Sequence, residues 1–355
     1  DLYSDAVYEM GGTNLKRLIG VNYLVKDPVP YYYLYRQIMG DHSQVGIVAG
    51  ASVDEYNKDL IKKHELTRQK KEDDRTKHVD TLNANTGPVF LTYKHTDKLD
   101  AITTEVTAKT PDVDFVSPDD VRHTLWVVRE DDMNARIREA FKEIDVLYVA
   151  DGHHRSASAS RVQKMRMEKN PNHTGDEEYN FFLSVIFPDN QMKILDYNRV
   201  VKDLNGHSDE DFLKTIEEKF DIQKVGKTQY SPVDLHEFGM FMNGEWFKLT
   251  AKEGTFDPND PVDCLDVAIL QKNLLTPVLA IGDPRVDERI DFIGGIRGLG
   301  ELEKRVAEGW KVAFAMYPTT IEQLMAIADA GLIMPPKSTW FEPKLRSGMV
   351  IHELV

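Results

Sequence analysis

The stretch Val146–Gln163, "VLYVADGHHRSASASRVQ", sets an aspartate, two histidines and an arginine around one glycine. An apolar run with strand character stops at Asp151-Gly152, and His153, His154 and Arg155 open a helical pattern. A strand running into a helix leaves unpaired backbone N–H groups at the turn, and the helix dipole favours negative charge there. Gly152 lets the chain turn tightly and lets an anion approach the backbone. Arg155 supplies a guanidinium fork matched to phosphate oxygens, and the two histidines supply donors or a neutral acceptor. Asp151 has three candidate roles: capping the helix, orienting a histidine, or binding Mg2+ through water. The types and order of these groups describe a phosphate cradle.

Two other readings compete with it. Asp151 as a plain N-cap followed by surface histidines is the ordinary meaning of a lone Asp-Gly turn. A metal site is disfavoured, because adjacent helical residues point about 100° apart and cannot easily share one ion. His64 or His123 would have to complete such a site, and no HxH or HxxxH spacing is present.

The elements that must position this turn follow from hydrophobic periodicity and turn residues. Helical spacing over 3–24, interrupted at Gly11-Gly12, precedes strands at 31–39 and 44–52. A short helix from Val53 to about Lys63 and a helix over 67–83 flank a junction at His64-Glu65. "GPVFLTYKH" reads as a strand, "AITTEVTAKTPDVDFVSPDD" as a strand and loop, "RHTLWVVRE" as a strand and 132–144 as a helix. After the strand at 146–150 and the helix at 153–169, strands continue through "YNFFLSVIFP" and "KILDYNRVV". A helix near 208–219 and a hairpin around Asn243-Gly244 come next. Then follow an apolar helix over 262–275, the strand "RIDFIGG", a helix at 300–308, the strand "KVAFAMYP" and a helix in "TIEQLMAIADAG". Strands and helices mix without strict alternation, which predicts an α/β, mixed α+β enzyme fold.

Charge and composition narrow the function classes. The 355 residues carry 44 basic and 59 acidic side chains, a net charge of −15. Such a surface repels nucleic acid and anionic membranes, and no long Lys/Arg run overrides it. No apolar run reaches the ~20 residues of a membrane helix, and no signal-peptide pattern opens the chain. The single cysteine, Cys264, excludes an intrachain disulfide and a cysteine-based zinc site. Inside an apolar helical pattern it is expected to be buried and inert. A cytoplasmic protein is expected. The sequence opens at Asp1 rather than Met, which leaves room for residues upstream.

"DGHHR" at a strand-to-helix turn resembles the free L-serine kinases of the ParB/sulfiredoxin superfamily. Upstream, "DLIKKHELTRQKKEDDRTKHVDTLNANTGPVFLTY" is similar to the order of segments in that core; downstream, "MPPKSTWFEPK" resembles their C-terminal Pro-Pro-Lys segment. Across nearly the whole chain the resemblance is closer to a larger bacterial family long catalogued without function. It shares HE-x-T, a Lys/Arg-containing helix, His-x-Leu-Trp, A-DGHHR and MP-x-KST-x-F-x-PK in this order. Longer members carry an N-terminal section with a Pro-Tyr-Asp motif that this sequence lacks.

The resemblance implies transfer of a phosphoryl group from ATP or ADP, with Mg2+, to the hydroxyl of free L-serine. Glu65 is implied as the base, a role that partial burial would favour near neutral pH; a capping carboxylate is its structural alternative. Asp151 is implied beside Mg2+ or the serine hydroxyl, with Gly152, His153, His154 and Arg155 holding the nucleotide phosphates. Lys337, Ser338 and Thr339 are implied at the substrate carboxylate or a phosphate, or are simply a loop. Arg75 joins them only if its helix faces the cleft. The expected fold is a ParB/sulfiredoxin-like nucleotide-binding core over 45–170, after an N-terminal helix and strand segment (1–44). An elaborated mixed-sheet region over 171–355 would complete the substrate site.

Weaker candidates read as structure. "GGIRGLGELEK" fits neither the P-loop nor the dinucleotide spacing, and Trp126 reads as core. Two alternatives remain at this point: a ParB-like nucleotide-gated DNA-binding or regulatory protein, and a kinase for another small hydroxyl substrate. The nucleotide, the oligomeric state and the side chain of the substrate are not fixed by the sequence.

Overall fold

The computed structural model describes residues 3–355, which divide into two compact units. One comprises residues up to Lys193 together with Pro343–Val355, and the other spans Ile194–Glu342. The expected boundaries at 44/45 and 170/171 fall inside the first unit. The strand β2 described below runs through 44/45, and the strand Phe181–Pro188 beyond 170 sits in the middle of the same sheet.

The first unit is built on a mixed sheet of eight strands. In chain order these are β1 (Tyr32–Met39), β2 (His42–Ser52), β3 (Ile61–Lys62), β5 (Val89–Tyr93), β6 (Val113–Val116), β7 (Arg122–Val128), β8 (Leu147–Asp151) and β9 (Phe181–Pro188); β4 (Ala84–Asn85) lies outside it. They lie in the order β3-β8-β5-β9-β2-β1-β7-β6. β3 runs parallel to β8 and β5 parallel to β9, and the remaining pairs are antiparallel. All five residues of β5 are buried, as expected of a strand in the sheet interior. The helices are α1 (Asp5–Gly20), α2 (Val53–Asn57), α3 (Gln69–Leu82), α4 (Asp97–Thr107), α5 (Asp131–Phe141) and α6 (His153–Met167). The core gathers Leu34, Ile47, Leu91, Trp126, Val149 and Phe182 among others, so Trp126 is the core residue expected.

Two sequence expectations are corrected here. The helix α1 is not broken at Gly11-Gly12. Gly11 packs against α3 so closely that a methyl there would lie 3.2 Å from Leu82 Cδ1, and Tyr8 buries its ring and donates to Asp74 at 2.8 Å. The segment "AITTEVT" is helix α4 rather than strand. Leu99, Ile102 and Val106 are buried with a helical period, and the hydroxyls of Thr103, Thr104 and Thr107 bond back to carbonyls three or four residues earlier.

The second unit carries an antiparallel sheet of six strands. They are β11 (Tyr197–Val201), β12 (Phe220–Gly226), β13 (Glu237–Met242), β14 (Glu245–Ala251), β15 (Ile290–Gly294) and β16 (Val312–Met316), in the order β12-β14-β13-β16-β11-β15. The predicted hairpin is β13–β14. Met242 pairs with Glu245, and Asn243 (φ 54°) and Gly244 (φ 77°) form the two-residue turn. Short strands β10 (Ile194–Leu195) and β17 (Trp340–Phe341) pair beside it. Its helices are α7 (Asp209–Ile216), α8 (Asp266–Leu270), α9 (Leu299–Ala307) and α10 (Ile321–Asp329). The apolar stretch 262–275 yields only α8 and a following π-helical turn, Gln271–Leu275. Cys264 precedes α8 and is half-buried rather than fully enclosed. The architecture is mixed α/β, as predicted. Among the described residues no helix is long and apolar enough to cross a membrane.

Candidate functional site

The edge of the first sheet brings two motifs together that lie far apart in sequence. Ile61 pairs with Leu147 and Lys62 with Tyr148, so "KKHEL" and "ADGHHR" leave the sheet side by side. At the same place the register of β8 against β5 shifts by one: Asp151 lies opposite Phe90, yet Val149 already lies opposite Leu91. An extra residue of this kind bends the strand end and re-aims its side chain. Asp151 is therefore the last strand residue, and Gly152 (φ 103°, ψ 26°) begins α6 as a cap with no side chain. Its carbonyl takes the N–H groups of Arg155 (2.8 Å) and Ser156 (3.0 Å). No side chain caps the N–H groups of the first turn. Of the roles open to Asp151, capping the helix is excluded, because the bulge leaves it one residue too early and Gly152 is the cap.

A cavity of about 490 Å3 opens at this helix end. Asp151, Gly152, His154 and Arg155 line it from the turn, and Arg75, His78 and Val79 line it from one face of α3. The remainder is less charged: Asn85, Thr86, Gly87 and Val89, then Phe182, Leu183 and Ser347. This volume lies within the range of small-molecule sites, roughly 300–1,000 Å3. Two arginines face one carboxylate, in a chain whose net charge is −15. A cation in the first turn of a helix also opposes the dipole, a conflict that a bound anion would relieve.

The ionisable groups respond to this setting. Burial alone would raise the Asp151 pKa, but Lys344 at 3.2 Å, Arg155 and the Gly152 N–H outweigh it and hold the group below the usual carboxylate range. Burial lowers Arg155, with Asp151 opposing. Burial also lowers His154, whose Nε2 accepts the Arg68 N–H at 3.1 Å, which places its ring proton on Nδ1.

The two histidines of the motif separate. His154 lines the cavity, whereas the His153 ring is buried edge-to-face on His64, with centroids 4.5 Å apart. Burial drives His153 down to about 3 and His64 well below its ordinary value. The uncharged His153 ring is packed inside and does not line the cavity, which leaves its backbone N–H as the group it can turn toward an anion. Glu65 is about half exposed, with Oε2 4.0 Å from His153 Nδ1, and is not among the cavity-lining residues. Arg75 does face the cavity.

Lys337, Ser338 and Thr339 belong to the second unit. Lys337 turns with φ 63°, its carbonyl accepts from the buried Arg199 at 3.0 Å, and its ammonium lies 5.3 Å over the Tyr197 ring. The Ser338 hydroxyl is buried and donates to the Pro335 carbonyl at 2.6 Å, so it is not offered to a ligand. Sequence reasoning missed Lys344, Ser347 and His78. Lys344 closes the very segment that was singled out, but its partner Asp151 is 193 positions away and no local signal links them. His78 was accessible in principle, as residues 75, 78 and 79 share one helical face.

Over residues 1–268 the chain matches a family described as protein of unknown function (DUF1015), and it belongs to that family. No curated protein matches it. Solved structures similar to it include a free serine kinase mutant in complex with ADP, at 16% identity, 83% of this chain and 87% of that one, and a TM-score of 0.41. A conserved hypothetical protein from Pyrococcus furiosus is 14% identical over 84% and 93% of the two chains, with a TM-score of 0.39. C-terminally truncated SbnI from Staphylococcus aureus is 9% identical over 84% and 85%, with a TM-score of 0.41.

Proposed function

We propose that this protein is a small-molecule kinase that moves a phosphoryl group from ATP or ADP to the hydroxyl of free L-serine. One observation carries the reading: the uncapped N-terminus of α6, flanked by Arg155 and Arg75, opens on a cavity with a single carboxylate. Backbone N–H groups of residues 153 and 154 with two guanidiniums form an anion site of the kind that holds nucleotide phosphates. Val79, Val89, Phe182 and Leu183 offer apolar contact for the base and sugar.

The acceptor follows from the motifs "HELT" and "DGHHR" and their resemblance to the serine kinases. The serine oxygen bonds to the terminal phosphorus, the bridging P–O bond breaks, and the nucleotide leaves with one phosphate fewer. The serine proton passes to Glu65, beside His153. Phosphoryl transfer asks mainly for alignment and charge neutralisation, and the cavity has the groups for both. Among the described residues no group of three or more His, Cys, Asp or Glu side chains is arranged to hold a metal. Mg2+ suits the site in its commonest mode, held by nucleotide phosphates and one carboxylate, here Asp151, and it would neutralise phosphate charge.

The test is a screen of ATP, ADP and other donors against free amino acids, followed by phosphorus NMR. O-phosphoserine is the expected product, and Glu65→Gln should slow its formation by about 100-fold or more. A folded protein that phosphorylates no serine with any donor would sink the proposal.

A further inference from the structure

After the second unit the chain returns to the first, and residues 343–355 form a strap along it. The strap is pinned at several backbone points. The Lys344 carbonyl accepts from Gln37 Nε2 at 2.9 Å, and Gln37 in turn accepts from Gln44 Nε2 at 3.1 Å. Both glutamines are completely buried. The Gly348 N–H reaches the Thr86 carbonyl at 3.2 Å, and the Leu354 N–H reaches the Asn83 carbonyl at 2.9 Å. The end strand β18 (His352–Glu353) pairs with β4. Between the first two anchors, Ser347 lines the cavity, and the Lys344 ammonium stands 3.2 Å from Asp151 Oδ2. Gly87 sits close between Ser347 and Arg155: a methyl there would lie 3.1 Å from Ser347 Oγ and 3.3 Å from Arg155 Nη1, so those side chains would have to give by a few tenths of an ångström.

Buried amides that fix the backbone of an exposed lysine point to a role for its side chain. The Lys344 side chain is about half exposed and that of Asp151 only about a third, so the ammonium can swing on its four-carbon stem while its backbone stays fixed. Arg155, half-buried at the same cavity, has no comparable freedom because its guanidinium packs against Gly87 and Gly152. We propose that Lys344 is a ligand for the terminal phosphate of the nucleotide and releases Asp151 when that phosphate arrives. The released carboxylate then faces the phosphoryl group and the acceptor hydroxyl. This inference rests on the reading of the cavity as a nucleotide site. An Asp151→Asn background separates the two roles: there, a lysine that merely neutralised Asp151 is dispensable for ADP, and a phosphate ligand is not.

Calorimetric titration of the full chain with ADP, AMP and adenosine tests it, using wild type, Lys344→Met and Lys344→Arg. Methionine keeps the apolar stem, and melting temperatures confirm that each variant is folded. Lys344→Met should weaken ADP by about tenfold or more, the scale of one charge-assisted hydrogen bond, and leave adenosine within about twofold. Lys344→Arg should keep most of the ADP affinity. Unchanged ADP binding in Lys344→Met, or equal losses for ADP and adenosine, would overturn the role of Lys344 while the nucleotide site stands. Wild type that binds none of the three would remove the nucleotide reading and this inference together.

Discussion

His153 and His64 meet edge to face inside the first unit, and burial keeps both rings neutral. In the unfolded chain each takes a proton near its ordinary value of 6.5; folded, His153 does so only near 3. The unfolded state therefore binds more protons in that window, and stability falls as pH drops from 6.5 toward 3. Each such histidine contributes a slope of up to about 1.4 kcal/mol per pH unit. His153→Gln should remove about one histidine's share of the slope, measured by urea denaturation at pH 7, 6 and 5. Identical slopes in the two proteins would contradict the assigned burial. Gly152 makes a second prediction at this scale. Alanine there takes up a left-handed backbone and meets Arg155 Nε at 3.1 Å. Gly152→Ala should cost about 1–2 kcal/mol and weaken ADP as the guanidinium is displaced, seen in paired denaturation and titration experiments.

Elements carry the site as much as residues do. α3 presents 75, 78 and 79, α6 presents its N-terminus, and the strap presents Lys344 and Ser347. Gln37→Ala would leave the Lys344 carbonyl and Gln44 without their buried partner, at a cost of about 1–3 kcal/mol. Denaturation should show that loss together with weaker ADP binding; a loss of stability alone would mean that the strap is not held for the sake of the cavity. Local signals explain which elements were legible in advance. The strand, glycine and helix around 146–167 announce themselves in consecutive residues, as does the Asn-Gly hairpin. α4 was hidden because its threonines have strand propensity yet satisfy their hydroxyls within a helix. α1 was hidden because Gly11 serves packing against Leu82 rather than a break. The strap, the β3–β8 pairing and the inward-turned His153 depend on distant partners, which no local pattern encodes.

At the scale of the whole molecule, acidity and a positive cavity act in opposite directions. A net charge of −15 disfavours polyanions as large as DNA, while two arginines and Lys344 favour a compact polyphosphate at one place. No shift of duplex DNA is expected in a gel at low ionic strength, with or without ADP. A salt-sensitive shift would revive the DNA-binding alternative. The mixed α/β class was legible from the interleaving of strand and helix patterns. The discontinuous first unit was not, because residues 343–355 rejoin it through distant partners, among them segments near 37, 85 and 151. The central claim is that nucleotide phosphates sit on the turn that ends β8. A crystal structure of the chain with ADP tests this most directly. The account predicts the diphosphate within about 3 Å of the residue 153 and 154 N–H groups and of the Arg155 guanidinium. An ADP seated elsewhere, or with its phosphates turned away from α6, would contradict it.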